Sequence, residues 1–366
     1  MLRIASKKAA IFSHLSCPSF SKNLSRYKRP FAALVLAAAL VLAAVPAVSA
    51  AAPALSVNGP SGTVRAGEAF EVTVELSSGA AFNTAQFILR FDQNAMECVK
   101  AEPGPLLAGA LTSANASNRK GAAVAAAWTE PLRGGGVLGT FQFKAKTDLS
   151  APRFALTDVL LTDLEGRELE VFIPENLRLP SFPDARGHWA EDAIRETAFQ
   201  GLLAGDADGA FHPEGTVTLR EMICLLWRAA GRPEPDPKAG ASFQELEGFD
   251  AETRNAILWG YGRGLFRGTE TDAFSSDAAL TRQAAVKLLF SYAGGQTGLE
   301  SLFFSVYDGT FTDSGQIASW AKPAVYWSVY HEILSGNSQN ALRPGEAVTR
   351  AQLSAILARA LDRDIL

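Results

Sequence analysis

Carboxylates and histidines are the side chains of this sequence that could carry catalysis. The carboxylates gather late in the first half of the chain: Asp158, Asp163, Glu165 and Glu168. Paired carboxylates hydrolyse glycosidic bonds, but the surrounding sequence, Thr-Asp-Leu-Glu-Gly-Arg-Glu at 162–168, favours a solvated hairpin loop. No histidine lies between Ala51 and Gly187, so this part cannot assemble a histidine-based triad or a zinc site. We therefore predict no catalytic residue, no metal site and no cofactor, in a protein that is not an enzyme.

A sequence pattern that occurs three times in the second half of the chain indicates ligand binding rather than catalysis. Each copy has a glycine six residues before an apolar residue and thirteen before a threonine: Gly205, Phe211 and Thr218; Gly268, Phe274 and Thr281; Gly336, Leu342 and Thr349. Each copy begins with Phe-x-Asp or Phe-x-Glu, at Phe182, Phe243 and Phe311. A period in the sixties with fixed internal spacing indicates a repeat, and one such unit cannot bury its own apolar face.

The threonines of the pattern predict helix starts. In Thr218-Leu-Arg-Glu221 and Thr349-Arg-Ala-Gln352, the threonine and the residue three positions later can form a capping box. Thr281 lacks this acceptor and should cap more weakly. Apolar spacing predicts another helix over 190–203. Asp206–Gly209 predicts a turn rather than a calcium loop, because the acidic twelfth position is absent.

These features together resemble the S-layer homology (SLH) domain, in three tandem copies at 182–231, 243–294 and 311–364. The matching residues also include His188-Trp189-Ala190 and Ser319-Trp320-Ala321. The resemblance implies a mainly α, pseudo-threefold unit in which three helices meet centrally and three grooves lie between the prongs. In that family the grooves hold the secondary cell-wall polymer, a pyruvylated glycan attached to peptidoglycan.

The resemblance assigns polymer binding to five residues: Arg282, Arg350, Gly268, Gly336 and Arg220. The family's arginine begins a helix, where N–H groups, the helix dipole and the guanidinium together favour an anion such as a pyruvyl carboxylate. Arg282 and Arg350 match that position. The first copy has Leu219 there and Arg220 one residue later, about 100° around the helix. We therefore predict unequal grooves, the first copy's being weakest; the alternative is that these are surface arginines without a ligand.

Four tryptophans of the repeats leave two interpretations open: Trp189, Trp259, Trp320 and Trp327. They could stack on sugar rings, or they could pack between the repeats.

The elements before the repeats have a period of two. Polar and apolar residues alternate at 70–76, 87–91 and 141–146, and two further runs, 122–128 and 154–161, are strand-like. Clusters of Gly, Pro, Asn and Asp separate these runs. Several short strands without an amphipathic helix predict an antiparallel all-β sandwich, which we place at 54–179.

This segment resembles the cohesin domain. The matching residues are Val64-Arg-Ala-Gly67-Glu, Gln86-Phe-Ile-Leu-Arg-Phe91-Asp92, Pro103-Gly104-Pro-Leu106-Leu107 and Gly139-Thr-Phe-Gln-Phe-Lys144. The resemblance implies a nine-stranded jelly roll that binds dockerin modules of secreted enzymes; related sandwiches bind carbohydrate. A protein partner would need a flat strand face of mixed polar and apolar residues, whereas a sugar site would show a row of exposed aromatic residues.

The first fifty residues are typical of a secretory signal peptide. Basic residues precede an apolar run from Phe31 to about Val45, and Val48-Ser-Ala50 supplies small residues for cleavage. The run is shorter than the ~20 residues of a membrane-spanning helix. We do not expect an integral membrane protein; an uncleaved N-terminal anchor is the alternative. Removing the seven Lys and Arg of this segment takes the formal net charge from −4 to −11, which argues against nucleic acid as a partner.

The sequence therefore predicts a secreted, non-catalytic adaptor on the wall of a Gram-positive-type bacterium. The SLH triplet would anchor it to the wall polymer, and the sandwich would bind a dockerin-type protein module. The alternative is a wall-anchored carbohydrate-binding protein that tethers the cell to a polysaccharide.

Overall fold

A computed structural model describes most of residues 52–366. It describes residues 52–77, 81–118, 120–235, 246, 248–265, 277–295, 305–363 and 365–366. The predicted signal peptide, residues 1–50, lies outside these ranges. Within them, no helix has the length and apolar character required to cross a membrane.

Eight antiparallel strands form the first part of the described chain. They are β1 Leu55–Asn58, β2 Ala69–Leu76, β3 Ala81–Phe91, β4 Met96–Pro103, β5 Leu111–Asn118, β6 Gly121–Arg133, β7 Gly136–Ala145 and β8 Phe154–Thr162. One sheet has the order β1-β2-β7-β4 and the other β5-β6-β3-β8. Both sheets turn apolar side chains onto one core, which includes Phe82, Phe87, Phe141 and Phe143. The predicted all-β sandwich is confirmed.

The strands that the alternation does not predict lie at sheet edges. The five predicted runs fall within β2, β3, β6, β7 and β8, whereas β1, β4 and β5 are edge strands. An edge strand is solvated along one side, so polar residues are tolerated at most of its positions; β5 reads Leu-Thr-Ser-Ala-Asn-Ala-Ser-Asn. The resemblance implies nine strands, whereas the described chain has eight. In addition, Ala54 and Phe172 form an isolated parallel bridge.

Six α-helices are described in the second part of the chain. They are α1 Glu191–Phe199, α2 Leu219–Ala229, α3 Ala251–Gly262, α4 Arg282–Tyr292, α5 Lys322–Tyr330 and α6 Arg350–Leu361. Helices α2, α4 and α6 start at the repeat threonines. The capping boxes predicted at Thr218 and Thr349 are present, and Thr281 makes the hydroxyl bond alone, as predicted.

Helix α1 is shorter than the predicted 190–203. Gly201 adopts a left-handed φ of 71°, and Leu202 N–H donates to Thr197 O at 2.9 Å. This is a Schellman-type ending, which satisfies the last carbonyls of the helix. Ile194 and Leu202 are buried nonetheless, as the predicted apolar face requires.

Three buried residues join the starts of α2, α4 and α6 in a closed ring. Leu280 N–H donates to Val217 O at 2.8 Å, Val348 N–H to Leu280 O at 2.8 Å, and Val217 N–H to Val348 O at 3.2 Å. Each of the three precedes a cap threonine, donates to one neighbour and accepts from the other. The three segments are therefore related by a pseudo-threefold arrangement about this ring.

The other three helices complete the ring. Helix α3 packs on α2, α5 on α4, and α1 on α6. Helices α1, α3 and α5 thus each pack on the last described helix of the preceding segment. The first segment follows the third in this order, so the ring is closed. One core runs through all three segments and includes Ile194, Leu226, Leu289 and Ile356. This explains why the motif occurs as a set, because no single copy encloses a core.

Helix α1 also contacts the sandwich. Arg90 of β3 is buried and forms an ion pair with Glu196 of α1. Gln200 Nε2 donates to Phe91 O at 3.3 Å. Arg90 points outward from β3, on the side opposite the sandwich core, so α1 covers that end of the β5-β6-β3-β8 sheet.

Candidate functional site

Arg350 links the third repeat to the first. It is the first residue of α6, and its Nε donates to Phe211 O at 2.7 Å and its Nη2 to Ala204 O at 2.5 Å. Its guanidinium lies 4.7 Å from the centroid of the Phe211 ring, a distance typical of cation–π contacts. The side chain is therefore held against the loop 204–213 of the first copy, not against the Gly336 loop of its own copy.

Arg282 repeats this arrangement one copy earlier. Its Nε donates to Leu342 O at 2.8 Å and its Nη1 to Gln352 Oε1 at 3.2 Å. Its partner is therefore the loop of the third copy, which begins at Gly336. Burial lowers the pKa of the Arg282 guanidinium below its ordinary value, and the nearby carboxylate of Glu346 opposes this fall.

A cleft of about 490 Å³ opens beside Arg282. Its charged lining consists of Arg282, Arg343, Arg359 and Glu346. Three guanidiniums against one carboxylate make this cleft positive, and the Arg343–Glu346 pair, at 3.5 Å, is solvent-exposed and weak. The sequence pattern does not reveal Arg343 or Arg359, because neither occupies a position shared by the three copies.

The aspartates of Phe-x-Asp hold the loops in place. Asp184 accepts hydrogen bonds from the N–H groups of Phe211 and His212, at 3.0 and 2.7 Å. Asp313 accepts in the same way from residues 342–343, at 2.9 and 2.6 Å. The Phe211 N–H lowers the pKa of Asp184 below its usual value, because it favours the charged carboxylate.

The repeat glycines make room for the phenylalanine of the same motif. A Cβ on Gly205 would lie 2.5 Å from Cε1 of Phe182, and one on Gly336 would lie 3.2 Å from Cδ1 of Phe311. The first distance is a clash and the second is a tight contact. Gly336 therefore shapes the wall of the Arg282 cleft; Gly268 lies outside the described residues.

The helix N–H groups that the sequence assigned to the anion are already paired. The first two N–H groups of α6 donate to Gly215 O and Pro213 O at 2.8 and 2.9 Å. Those of α4 donate to Glu346 O and Pro344 O, both at 2.9 Å. The third N–H of each helix bonds to its cap threonine. That part of the prediction is wrong: the guanidiniums, not these backbone groups, are left to meet an anion.

Arg220 has a different setting from the other two arginines. Its Nη2 lies 3.0 Å from Asp277 Oδ1, and its guanidinium lies 5.6 Å from the ring centroid of Phe249. Leu219, at the position equivalent to the other arginines, is buried. The loop that would complete this groove, with Gly268, lies outside the described residues.

The repeat tryptophans divide between the two interpretations. Trp259 is buried, and Trp320 and Trp327 pack against the core. Trp189 is 65% exposed and lines the positive cleft beside Arg282. Of these four residues, Trp189 is therefore the one placed to stack on a sugar.

The outward face of the β5-β6-β3-β8 sheet carries polar and apolar side chains side by side. Its central rows carry Thr84, Gln86, Ile88, Ser113, Asn115, Ala123, Ala125, Ala127, Thr157 and Leu160. These side chains are uncharged and non-aromatic, and β6 contributes only alanines; β8 also carries the exposed carboxylate of Asp158 between Thr157 and Leu160. Leu111 at the edge is 83% exposed. Mixed polar and apolar character is what a protein partner requires.

The other sheet presents a contrasting face. The outward residues of β2, β7 and β4 include Glu71, Glu75, Glu97, Lys100, Glu102 and Lys144. Interspersed charges of both signs are typical of a solvated surface. Trp128, the tryptophan of the sandwich, packs edge-on against Phe82 with centroids 5.6 Å apart and belongs to the core side.

The clustered carboxylates form the solvated turn that the sequence predicts. Asp163 Oδ2 lies 2.6 Å from Arg167 Nε, and Glu165 Oε2 lies 2.9 Å from Arg167 Nη2. Both carboxylates thus share one arginine at the surface and do not face each other across a pocket.

Comparison with known families agrees with this architecture. Residues 53–169 match the model of the cohesin domain, and residues 181–223 and 310–354 match that of the S-layer homology domain. The chain combines a cohesin domain with S-layer homology domains. Both are non-catalytic module families, and the two SLH matches fall on the first and third copies of the repeat.

Curated relatives share part of the chain. It is 24% identical over 179 residues to a surface-layer 125 kDa protein of Lysinibacillus sphaericus, covering 48% of this chain and 14% of that protein. It is 26% identical over 190 residues to exoglucanase XynX of Acetivibrio thermocellus, covering 50% and 16%. It is 32% identical over 93 residues to cell surface glycoprotein 1 of the same species, covering 25% and 4%. The chain thus spans a small part of each relative's length.

Solved cohesin structures also resemble the sandwich. A non-cellulosomal cohesin of Archaeoglobus fulgidus has 18% identity and a TM-score of 0.29, covering 32% of this chain and 85% of that one. The sixth cohesin of scaffoldin B from Acetivibrio cellulolyticus has 17% identity and a TM-score of 0.30, covering 34% and 94%.

Proposed function

We propose that the protein is a non-catalytic adaptor of the bacterial cell surface. Its S-layer homology region anchors it to the wall, and its cohesin domain captures a dockerin-type module of another protein. The segments 182–231, 243–294 and 311–364 act as three SLH domains, and the sandwich at 54–179 acts as the displayed module. Residues 1–50 direct secretion from a Gram-positive-type cell.

The observation that carries the anchoring role is the arginine cross-link between repeats. Arg350 and Arg282 each bridge to the loop of another copy, and among the described residues their hydrogen bonds do not use Nη1 of Arg350 or Nη2 of Arg282. A guanidinium fixed in this way meets a carboxylate at little entropic cost. The pyruvylated glycan of the wall supplies carboxylates, and the positive cleft with Trp189 on its rim supports both anion binding and sugar stacking.

The three grooves are unequal. Arg350 and Arg282 meet ordered loops, whereas Arg220 is already paired with Asp277. We therefore assign polymer binding chiefly to Arg350 and Arg282, with Gly336 shaping the loop that Arg282 meets. Arg220, with Gly268 nearby in sequence, contributes least.

A protein partner fits the sandwich better than a glycan does. Among its described residues, the large exposed apolar side chains are Val99, Leu111, Leu164 and Phe172. A single aromatic residue in that set does not make the row of rings on which a polysaccharide stacks. The polar and apolar side chains that share the centre of the β5-β6-β3-β8 face support docking of a folded module.

Sedimentation with purified cell walls tests the anchoring role. We expect the protein to co-sediment with polymer-bearing walls and to remain in solution with polymer-stripped walls. Equal binding to both would contradict the proposal.

A binding screen tests the partner. The protein is presented to a panel of dockerin modules and to a panel of plant and host glycans. We expect dockerin binding; binding to glycans alone would establish the alternative, a wall-anchored carbohydrate-binding protein.

A further inference from the structure

The loop after α1 brings an imidazole to two carboxylates. His212 Nε2 lies 3.4 Å from Asp206 Oδ2 and 3.3 Å from Asp208 Oδ2. The three ligand atoms all lie within 4.8 Å of one another, and all three side chains are solvent-accessible. The sequence pattern does not reveal this group, because His212 has no place in the spacing of a calcium loop.

These distances fit a shared cation better than a direct hydrogen bond. An imidazole N–H points at one acceptor and binds it at about 2.7–3.2 Å, whereas Nε2 here is almost equidistant from two carboxylates. Ligand atoms about 2.0–2.1 Å from a tetrahedral zinc ion are separated by roughly 3.3 Å.

The third repeat shows that the loop folds without these side chains. Asn337, Gln339 and Arg343 stand at the positions of Asp206, Asp208 and His212. The backbone is nonetheless the same: the N–H of the first position donates to the carbonyl four residues later at 2.8 Å in one copy and 2.9 Å in the other. The third position has a φ of 55° in the first copy and 53° in the third. The backbone of the loop therefore does not require this particular Asp-Asp-His set, although Asp208 Oδ1 accepts the Ala210 N–H at 3.0 Å in the first copy.

We propose that Asp206, Asp208 and His212 form a binding site for a divalent transition-metal ion, with Zn²⁺ as the best fit. Two carboxylate oxygens and one imidazole nitrogen supply three ligands, and water completes a tetrahedron. Imidazole distinguishes the site from one for Ca²⁺ or Mg²⁺, which take oxygen ligands. The ion would brace the loop whose carbonyls at Ala204 and Phe211 hold Arg350.

Calorimetric titration of the purified protein with ZnCl₂ tests the site. We expect saturable binding of one equivalent. In the variant Asp206→Asn, Asp208→Gln, His212→Arg this binding is abolished, while the circular dichroism spectrum is unchanged, because the third repeat carries these side chains on the same backbone. His188→Gln is the matched control, since His188 is the other histidine of this repeat and faces Glu214 at 3.0 Å; it should bind Zn²⁺ as the wild type does.

A second readout does not depend on any variant. Substoichiometric Co²⁺ added to the ¹⁵N-labelled protein should broaden amide resonances of residues 205–213 first. Saturable Zn²⁺ binding by the triple variant, loss of binding in His188→Gln, no saturable binding by the wild type, or broadening centred elsewhere would each overturn the proposal.

Discussion

At the scale of single residues, the arginines at the helix starts connect the repeats. Arg350 fixes the first repeat against the third through the carbonyls of Ala204 and Phe211. The sequence pattern places Arg282 and Arg350 at equivalent positions. It does not reveal which loop each one meets, because that depends on ring closure between segments sixty or more residues apart.

The first prediction compares Arg350→Ala with Arg220→Ala. A hydrogen bond to a charged group contributes about 1.5–3 kcal/mol, so Arg350→Ala should weaken binding of a pyruvylated wall fragment about ten- to a hundredfold. Arg220→Ala should have a smaller effect, because that guanidinium is paired with Asp277. Calorimetry measures the affinities. Arg350→Lys serves as the control, because lysine keeps the positive charge but lacks the planar guanidinium. A larger loss of affinity from Arg220→Ala than from Arg350→Ala would reverse the assignment.

The second prediction concerns pH and Asp184. The Phe211 N–H depresses the pKa of this carboxyl in the folded protein below its usual 3.8. The stability that the carboxylate contributes is therefore complete above pH 3.8 and is lost as the pH falls through the lowered folded value. Asp184→Asn should unfold more easily than the wild type at pH 7, and the difference should shrink at strongly acidic pH. Denaturant unfolding across this range measures it; a difference that grows on acidification would contradict the assignment.

At the scale of elements, the sequence pattern predicts the central strands and the edge strand β8 but misses the other three edge strands. The residues of β3 and β7 are buried on one side by the facing sheet, which leaves a clear period of two. Strand β5 is polar at most positions because solvent reaches its free edge. The character of the β5-β6-β3-β8 face is not visible in the periodicity, because it comes from the outward residues, among them the alanines of β6 and Gln86 and Ile88 of β3.

The third prediction tests this face with Ala125→Arg. The new side chain would project from the centre of β6 on the outward side, where it would block a docked module without entering the core. We expect a loss of dockerin binding with unchanged thermal unfolding. Gln142→Arg, at the exposed centre of the opposite sheet, is the matched control and should leave binding intact. Equal losses from both variants would show that the face is not the docking surface.

At the scale of the whole molecule, the sandwich and the first repeat share a buried ion pair. Neither partner belongs to a recurring motif: Arg90 lies on the outward side of a strand and Glu196 on a helix, and such a pairing requires the folded structure. The order of domain types follows from the two periodicities, but the contact between them does not.

The fourth prediction tests this junction. Removing one member of a buried ion pair typically costs about 3–5 kcal/mol, so Arg90→Ala should destabilise the protein by about 3 kcal/mol. Replacing both members with apolar residues, Arg90→Met with Glu196→Leu, should be nearly neutral. Urea unfolding monitored by tryptophan fluorescence compares the two. A neutral Arg90→Ala variant would show that the pair does not hold the junction.

A three-component sedimentation tests most directly whether this one chain joins a cell wall to a second protein. Polymer-bearing walls, the adaptor and a labelled dockerin module are mixed and centrifuged. We predict that the label sediments only when the adaptor is present and the walls carry their polymer. Ala125→Arg should leave the adaptor on the wall and release the label. Sedimentation of the label without the adaptor, or an adaptor bound to polymer-bearing walls that recruits no dockerin in the panel, would contradict the account.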